Sequence, residues 1–336
     1  MRTRIVAVVL AGAGVARAAI EGVAHNGTTG RPQAGIEVTL LKLEQGMTPV
    51  GTTRTDARGK FRFAQAVAAD NLMLRAEFEG VAYTERVPSG ARAGDISVTV
   101  YGAVEATASV PAPDQHVVLV EPAGEEMVVN ESFLYNNQAR PPVTYVASKR
   151  GTLRFFLLPG AKGIVQVSAT GPAGMPLRSS ADKTAEAGVY EVNFPIKPGE
   201  SRIDLTYLVP YKPPQEFSVR NLYSGVMTRL AAPIGVTLAG EGLQSLGAEP
   251  KTKATIFDAG RGALARLTIS GEGRLARSSE GEDGGGEDIS VRPAAVDEKL
   301  VWILAIAAGI LAVGFYGLYT AKPGAAPQRT GGGQQP

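Results

Sequence analysis

Between Ile20 and Tyr101, apolar and polar residues alternate in short bursts separated by turn residues, the two-residue period of half-buried strands. The alternation predicts strands at Ile20 to Asn26, Ile36 to Leu43, Val50 to Thr55, Lys60 to Ala64, Leu72 to Phe78, Val81 to Val87 and Ile96 to Tyr101. In Thr55-Asp56-Ala57-Arg58-Gly59, Asp56 is placed to accept local backbone hydrogen bonds and Gly59 to take a positive φ, so this segment reads as a turn. Phe61 and Phe63 then share one face and point into a core. Gly27 to Pro32 and Glu79-Gly80 supply two further reversals.

A hinge is expected over Ala106 to Asp114, where Pro111 and Pro113 interrupt any strand. A second β pattern follows at His116 to Glu121, Met127 to Tyr135, Thr152 to Leu158, Ile164 to Thr170, Tyr190 to Phe194 and Arg202 to Val209. Segments at Phe217 to Tyr223, Ile234 to Leu238, Ala254 to Phe257 and Leu264 to Ile269 either complete that sandwich or build a smaller third unit. The fold class expected is all-β: two consecutive β-sandwiches, residues 19–104 and 115–270.

Two apolar runs break the alternation. Arg2 and Arg4 precede Ile5 to Ala16, and Ala16-Arg17-Ala18 is a small-x-small triplet, so residues 1–18 read as a secretory signal. Leu300 to Tyr319 is uncharged, and about 20 residues at about 1.5 Å rise span a hydrocarbon core of about 30 Å. Trp302, Tyr316 and Tyr319 suit the two interfaces, and Lys322 and Arg329 after the helix place the tail 320–336 in the cytoplasm. Ala305 and Gly309 form a small-xxx-small pair suited to helix packing. Residues 271–299 are poor in apolar side chains and rich in Gly, Ser, Glu and Asp, a composition expected of a disordered stalk.

The run E-G-V-A-H-N-G-T-T-G-R-P-Q-A-G-I-E-V-T-L at 21–40, T-D-A-R-G-K-F-R-F at 55–63 and E-G-V-A-Y at 79–83 resembles the carboxypeptidase regulatory-like domains, similar to collagen-adhesin B-type repeats. The resemblance covers about a quarter of the chain and implies a transthyretin-like sandwich in a bacterial envelope protein. It implies neither the zinc site of a peptidase, since no H-x-x-E pair is present, nor the isopeptide of the adhesin repeats, since Ile20 to Asn26 holds no Lys.

Residue inventory narrows the chemistry further. Cysteine is absent, which removes thiol nucleophiles, haem attachment, iron–sulfur clusters and Cys-based zinc sites. His25 and His116 are the two imidazoles, far apart and in no metal-binding spacing; each is expected at an exposed strand edge. Formal net charge is +2 with basic residues scattered singly, which argues against nucleic acid as a partner. The acidic run Glu280 to Asp283 lacks the oxygen spacing of a calcium loop. Tyr135, Tyr145, Tyr207, Tyr211 and Tyr223 read as half-buried strand tyrosines or as a protein-contact surface. Asn26 and Asn130 sit in N-x-[ST] patterns.

No catalytic, cofactor or metal residue emerges from this reading. The function expected is a non-catalytic binding or scaffolding module, single-pass in a bacterial cell membrane, with its β domains outside the cytoplasm and an envelope protein as partner. Two alternatives stand beside it: an accessory subunit of a membrane complex, and an enzyme whose carboxylates assemble in space.

Overall fold

The computed structural model describes residues 20–44, 46–63, 71–88, 96–105, 111–148, 150–158 and 160–275, all of them in one compact unit. The expected signal, most of the stalk, the apolar segment 300–319 and the acidic run at 280–283 lie outside these residues. Among the described residues no helix is long and apolar enough to cross a membrane.

The first part holds β1 (Glu21–Asn26), β2 (Arg31–Pro32), β3 (Glu37–Leu43), β4 (Met47–Arg54), β5 (Lys60–Arg62), β6 (Leu72–Phe78), β7 (Val81–Val87), β8 (Ile96–Val100) and β9 (Ala103–Glu105). Strand β1 pairs antiparallel with β2 and β5 and parallel with β8, while β4-β3-β6-β7 form a second sheet. The inward residues of both sheets, among them Leu40, Leu72, Leu74, Phe61, Phe63 and Val98, make one core. Asp56 accepts the Arg58 and Lys60 amides at 2.8 Å, and Gly59 has φ 73°, so the turn before Phe61 forms as its sequence demands. Gly22 is required by packing: a Cβ there would lie 2.4 Å from the Ile96 carbonyl and 2.5 Å from the Phe61 ring.

The remainder comprises β10 (Gln115–Ala123), β11 (Glu126–Asn137), β12 (Thr144–Val146), β13 (Leu153–Phe156), β14 (Lys162–Thr170), β15 (Pro176–Ser179), β16 (Ala181–Lys183), β17 (Val189–Val192), β18 (Gly199–Pro210), β19 (Gln215–Arg220), β20 (Met227–Ala232), β21 (Val236–Ala239), β22 (Gln244–Ala248), β23 (Thr255–Asp258) and β24 (Leu264–Gly271). Eight of these form a single sheet, β15-β14-β18-β11-β10-β20-β23-β22. Two three-stranded sheets, β13-β17-β16 and β19-β24-β21, supply the apolar residues that meet one face of it. After Pro210, β20, β22 and β23 extend the large sheet, and β19, β21 and β24 form one of the small sheets that cover it.

Strand β20 lies inside that sheet, between β10 and β23, although Met227–Ala232 carried no strand expectation, and Gln244–Ala248 was likewise missed. Residues 271–275, expected to begin the stalk, are held by the fold. Gly271 ends β24, the Gly273 amide bonds the Pro122 carbonyl at 3.0 Å, and the Leu275 amide bonds Glu121 Oε1 at 2.8 Å.

Candidate functional site: a buried polar seam

Along β11 the residues Met127, Val129, Glu131, Phe133 and Tyr135 share one face, and Ile203, Leu205, Tyr207 and Val209 of β18 lie on the same face. This face carries two apolar cores. Met127, Val129, Tyr207 and Val209 pack with Phe217, Leu267 and Ile269. Phe133, Tyr135, Ile203 and Leu205 pack with Leu153, Phe155 and Ile196. Between the two cores the row reads Glu131, opposite Val118 and diagonal to His116 of β10.

Glu131 Oε2 lies 2.8 Å from His116 Nε2, and Glu131 Oε1 accepts the Tyr207 hydroxyl at 2.5 Å. The imidazole stacks on Phe133 at 4.3 Å between centroids. His116 is 1% exposed, Glu131 5% and Tyr207 2%, so the three groups are sealed from solvent. Burial holds the Tyr207 hydroxyl protonated well above the usual phenol range, and the Glu131 charge beside it adds to that effect. A carboxyl group removed from water needs partners to replace its lost hydration, and Tyr207 and His116 supply two. His116 Nδ1 is buried without a hydrogen-bond partner among the described residues, which suits a tautomer carrying its proton on Nε2.

The seam continues above these groups, where the two small sheets meet without pairing to one another. Asn221 donates to Thr228 Oγ1 at 3.0 Å and to the Val226 carbonyl. The Tyr223 hydroxyl accepts the Arg154 amide of β13 at 2.7 Å, and Glu186 bridges Arg154 and Arg220 at 3.0 and 3.5 Å. Polar side chains thus join sheets that share no backbone ladder.

His116 was expected at an exposed strand edge; it is instead fully buried, because β10 is flanked on both sides by β11 and β20 and its even-numbered residues face inward. The run His116-Val117-Val118-Leu119-Val120 is apolar at both parities, so composition alone did not reveal which side faces the core. Glu131 was not singled out, yet a signal was present: it shares parity with Met127, Val129, Phe133 and Tyr135, the bulkiest residues of the strand. His25 is exposed on β1, remote in sequence and sheet from the seam.

Of the tyrosines, Tyr135, Tyr207 and Tyr211 are buried and Tyr145 and Tyr223 half-buried, so they pack inward rather than form a shared outer surface. Asn26 is 6% exposed, bonds Gln33 and accepts the Thr28 and Thr29 amides. Asn130 is half-buried between Glu121 and Thr206. Both amides are committed to the fold.

A second polar cluster joins the first part of the chain to the second. Strands β9 and β12 pair in parallel. Thr28 Oγ1 donates to the Pro142 carbonyl at 2.6 Å and accepts the Gly102 amide at 2.8 Å. The Tyr83 hydroxyl lies 2.8 Å from both the Tyr101 carbonyl and Thr144 Oγ1. Lys197 Nζ donates to the Ala82 carbonyl at 2.6 Å and sits 5.0 Å from the centroid of the Tyr83 ring. Burial pulls the Lys197 ammonium below its ordinary value.

No known protein family matches the chain, and no curated protein matches it. Among solved structures it is similar to an M1 zinc metallopeptidase from Deinococcus radiodurans, at 14% identity and TM-score 0.27, over 47% of this chain and 41% of that one. It is also similar to the major pilin SpaD from Corynebacterium diphtheriae, at 12% identity and TM-score 0.23, over 77% of this chain and 83% of that one. A third is BcpA, the major pilin subunit of Bacillus cereus, at 11% identity and TM-score 0.18, over 76% and 69%. The chain spans less than half the length of the metallopeptidase it matches, and these likenesses are weak ones of β architecture.

Proposed function

We propose that the chain is a non-catalytic scaffolding module of a bacterial envelope, exported by residues 1–18 and held in the membrane by the apolar segment 300–319, with its β domains outside the cytoplasm. In this reading the first sandwich is of the carboxypeptidase regulatory-like kind, and its role is to present β surfaces to an envelope protein at a fixed place. The observation that carries the reading is the joint between the two parts. A flexible linker between sandwiches would leave each free to reorient. Here a parallel strand pair, the Tyr83 hydroxyl on Thr144, Thr28 on Pro142 and Lys197 on Ala82 tie the parts into one body. The buried seam acts in the same sense, because Glu131, His116 and Tyr207 lock three neighbouring strands in register and admit no substrate.

The test is expression of the full chain in a bacterial host, followed by membrane fractionation and protease digestion from the outer side. The expected result is a membrane-bound chain whose β domains are reached from outside, and which is released into the soluble fraction when residues 300–319 are deleted. A full-length chain found in the cytosolic fraction would sink the proposal.

A further inference from the structure

The large sheet has a second face, turned away from the two covering sheets, and on it the residues of four neighbouring strands form two rows. Cross-strand register gives the first row as Leu119 on β10, Ala231 on β20, Ile256 on β23 and Gly247 on β22. The second reads Val117, Arg229, Asp258 and Gln244. Paired residues point to the same side of a sheet, and the alternate residues Val118, Leu230 and Phe257 face the core, so both rows face outward. The Arg229 Nε is buried with no hydrogen-bond partner, and no ion pair to Arg229 is present among the described residues. Asp258, directly across from it, uses Oδ1 to accept the Gly260 amide at 2.7 Å.

Each row is complementary to its own reversal. A two-fold axis lying along the strands, midway between β20 and β23, turns a second copy so that its row runs backwards over the first. Leu119 then faces Gly247, and Ala231 faces Ile256: a large side chain meets a small one at every position, twice over. In the other row Arg229 faces Asp258 and Asp258 faces Arg229, with Val117 over Gln244. Sheets stacked face to face pack about 10 Å apart with strands within about 30° of each other, which this operation satisfies. A two-fold interface of this kind needs one surface patch that complements itself.

We propose that this outward face of β10, β20, β23 and β22 is the interface for a second copy of this chain, with Arg229 and Asp258 as the reciprocal charged pair. Four strands at about 4.8 Å and about four residues at about 3.3 Å, the length of β23, give about 250 Å² of planar overlap per copy, below the size of stable interfaces. The association is therefore reversible, and concentration of the chain in one plane by a membrane anchor would favour it. The proposal concerns the partner of the module and stands whether or not the anchoring reading holds.

The experiment is sedimentation equilibrium of the full-length chain in detergent, from about micromolar to about hundred-micromolar concentration, the range in which small interfaces associate. The variants are Arg229→Glu, Asp258→Arg and the double swap, with circular dichroism to confirm that each is folded. The expected result is a monomer–dimer equilibrium in the wild type, a loss of affinity of about tenfold or more in each single variant, and recovery in the double swap. Because all variants keep residues 300–319, association through that segment alone would leave the single swaps dimeric, and that outcome overturns the proposal. So does a wild type that stays monomeric throughout, or a double swap that fails to recover.

Discussion

Replacing Glu131 with Ala in the buried seam leaves two donors stranded. The Tyr207 hydroxyl loses its acceptor at 2.5 Å and His116 Nε2 loses its partner at 2.8 Å, with no solvent to replace either. A buried polar group left without a partner costs about 1–3 kcal/mol, so two of them together with the small cavity make the expected loss about 4 kcal/mol. The sharper expectation concerns sign. In the wild type, Tyr207→Phe takes a donor from a buried carboxylate and destabilises, by about 2 kcal/mol. In the Glu131→Ala background the same change removes a stranded hydroxyl, and stability rises by about 1 kcal/mol or more. The assay is a double-mutant cycle by urea unfolding, followed by far-ultraviolet circular dichroism, since the single Trp, Trp302, lies outside the folded part described. If Tyr207→Phe costs the same in both backgrounds, the two residues are uncoupled and the account of the seam is wrong.

Burial raises the hydroxyls of Tyr83, Tyr135, Tyr207 and Tyr223 above the model-peptide value of 10.0. Their contribution to stability is complete below pH 10.0, where the unfolded chain keeps its phenols protonated, and is lost as pH rises above it, so alkaline unfolding should release phenolate absorbance in one step coincident with loss of β signal. A smooth titration centred at the ordinary value with the fold intact would refute this. Gly22→Ala forces a methyl against the Ile96 carbonyl and the Phe61 ring and should cost about 2–3 kcal/mol by thermal unfolding; an unchanged midpoint would mean that β1 shifts freely. Tyr83→Phe removes the bonds to Tyr101 and Thr144 at the joint, with an expected loss of about 1–2 kcal/mol in the same assay, and a neutral result would remove the hydroxyl from the account of rigidity.

Much of the first part was legible because its signals are local. Leu72–Phe78 and Val81–Val87 fall where alternation put them, Phe61 and Phe63 are buried, and the turn residues Asp56, Gly59 and Gly80 act through their own backbone neighbours. The second part depends on partners distant in sequence. Met227–Ala232 is an inner strand because β10 pairs with it in parallel, a relation that no short window contains, and its two alanines and Arg229 do not look like a strand interior. Strand β10 is apolar on both faces, so alternation did not set which side is buried, and that ambiguity misplaced His116. On β11 the parity of Met127, Val129, Phe133 and Tyr135 marked the inner face, and Glu131 was overlooked on it. Pairing of the chain's two parts through β9 and β12 was missed because each strand is three residues long, too short to show a period.

The attachment of Gly273 and Leu275 to Pro122 and Glu121 has a mechanical consequence. Strand β10 follows β9 of the joint in the chain, and its last residues hold Gly273 and Leu275. A pull applied between that joint and the exit is carried along the length of β10. Strands β11 and β20 flank it, so the ladders on both sides are sheared together rather than opened one bond at a time. Under a pull on Leu275 the Glu121 and Pro122 contacts are expected to yield first, freeing residues 272–275 while the eight-stranded sheet stays whole. Once those contacts open, the load passes to β24, which runs directly into Gly273 and belongs to a covering sheet.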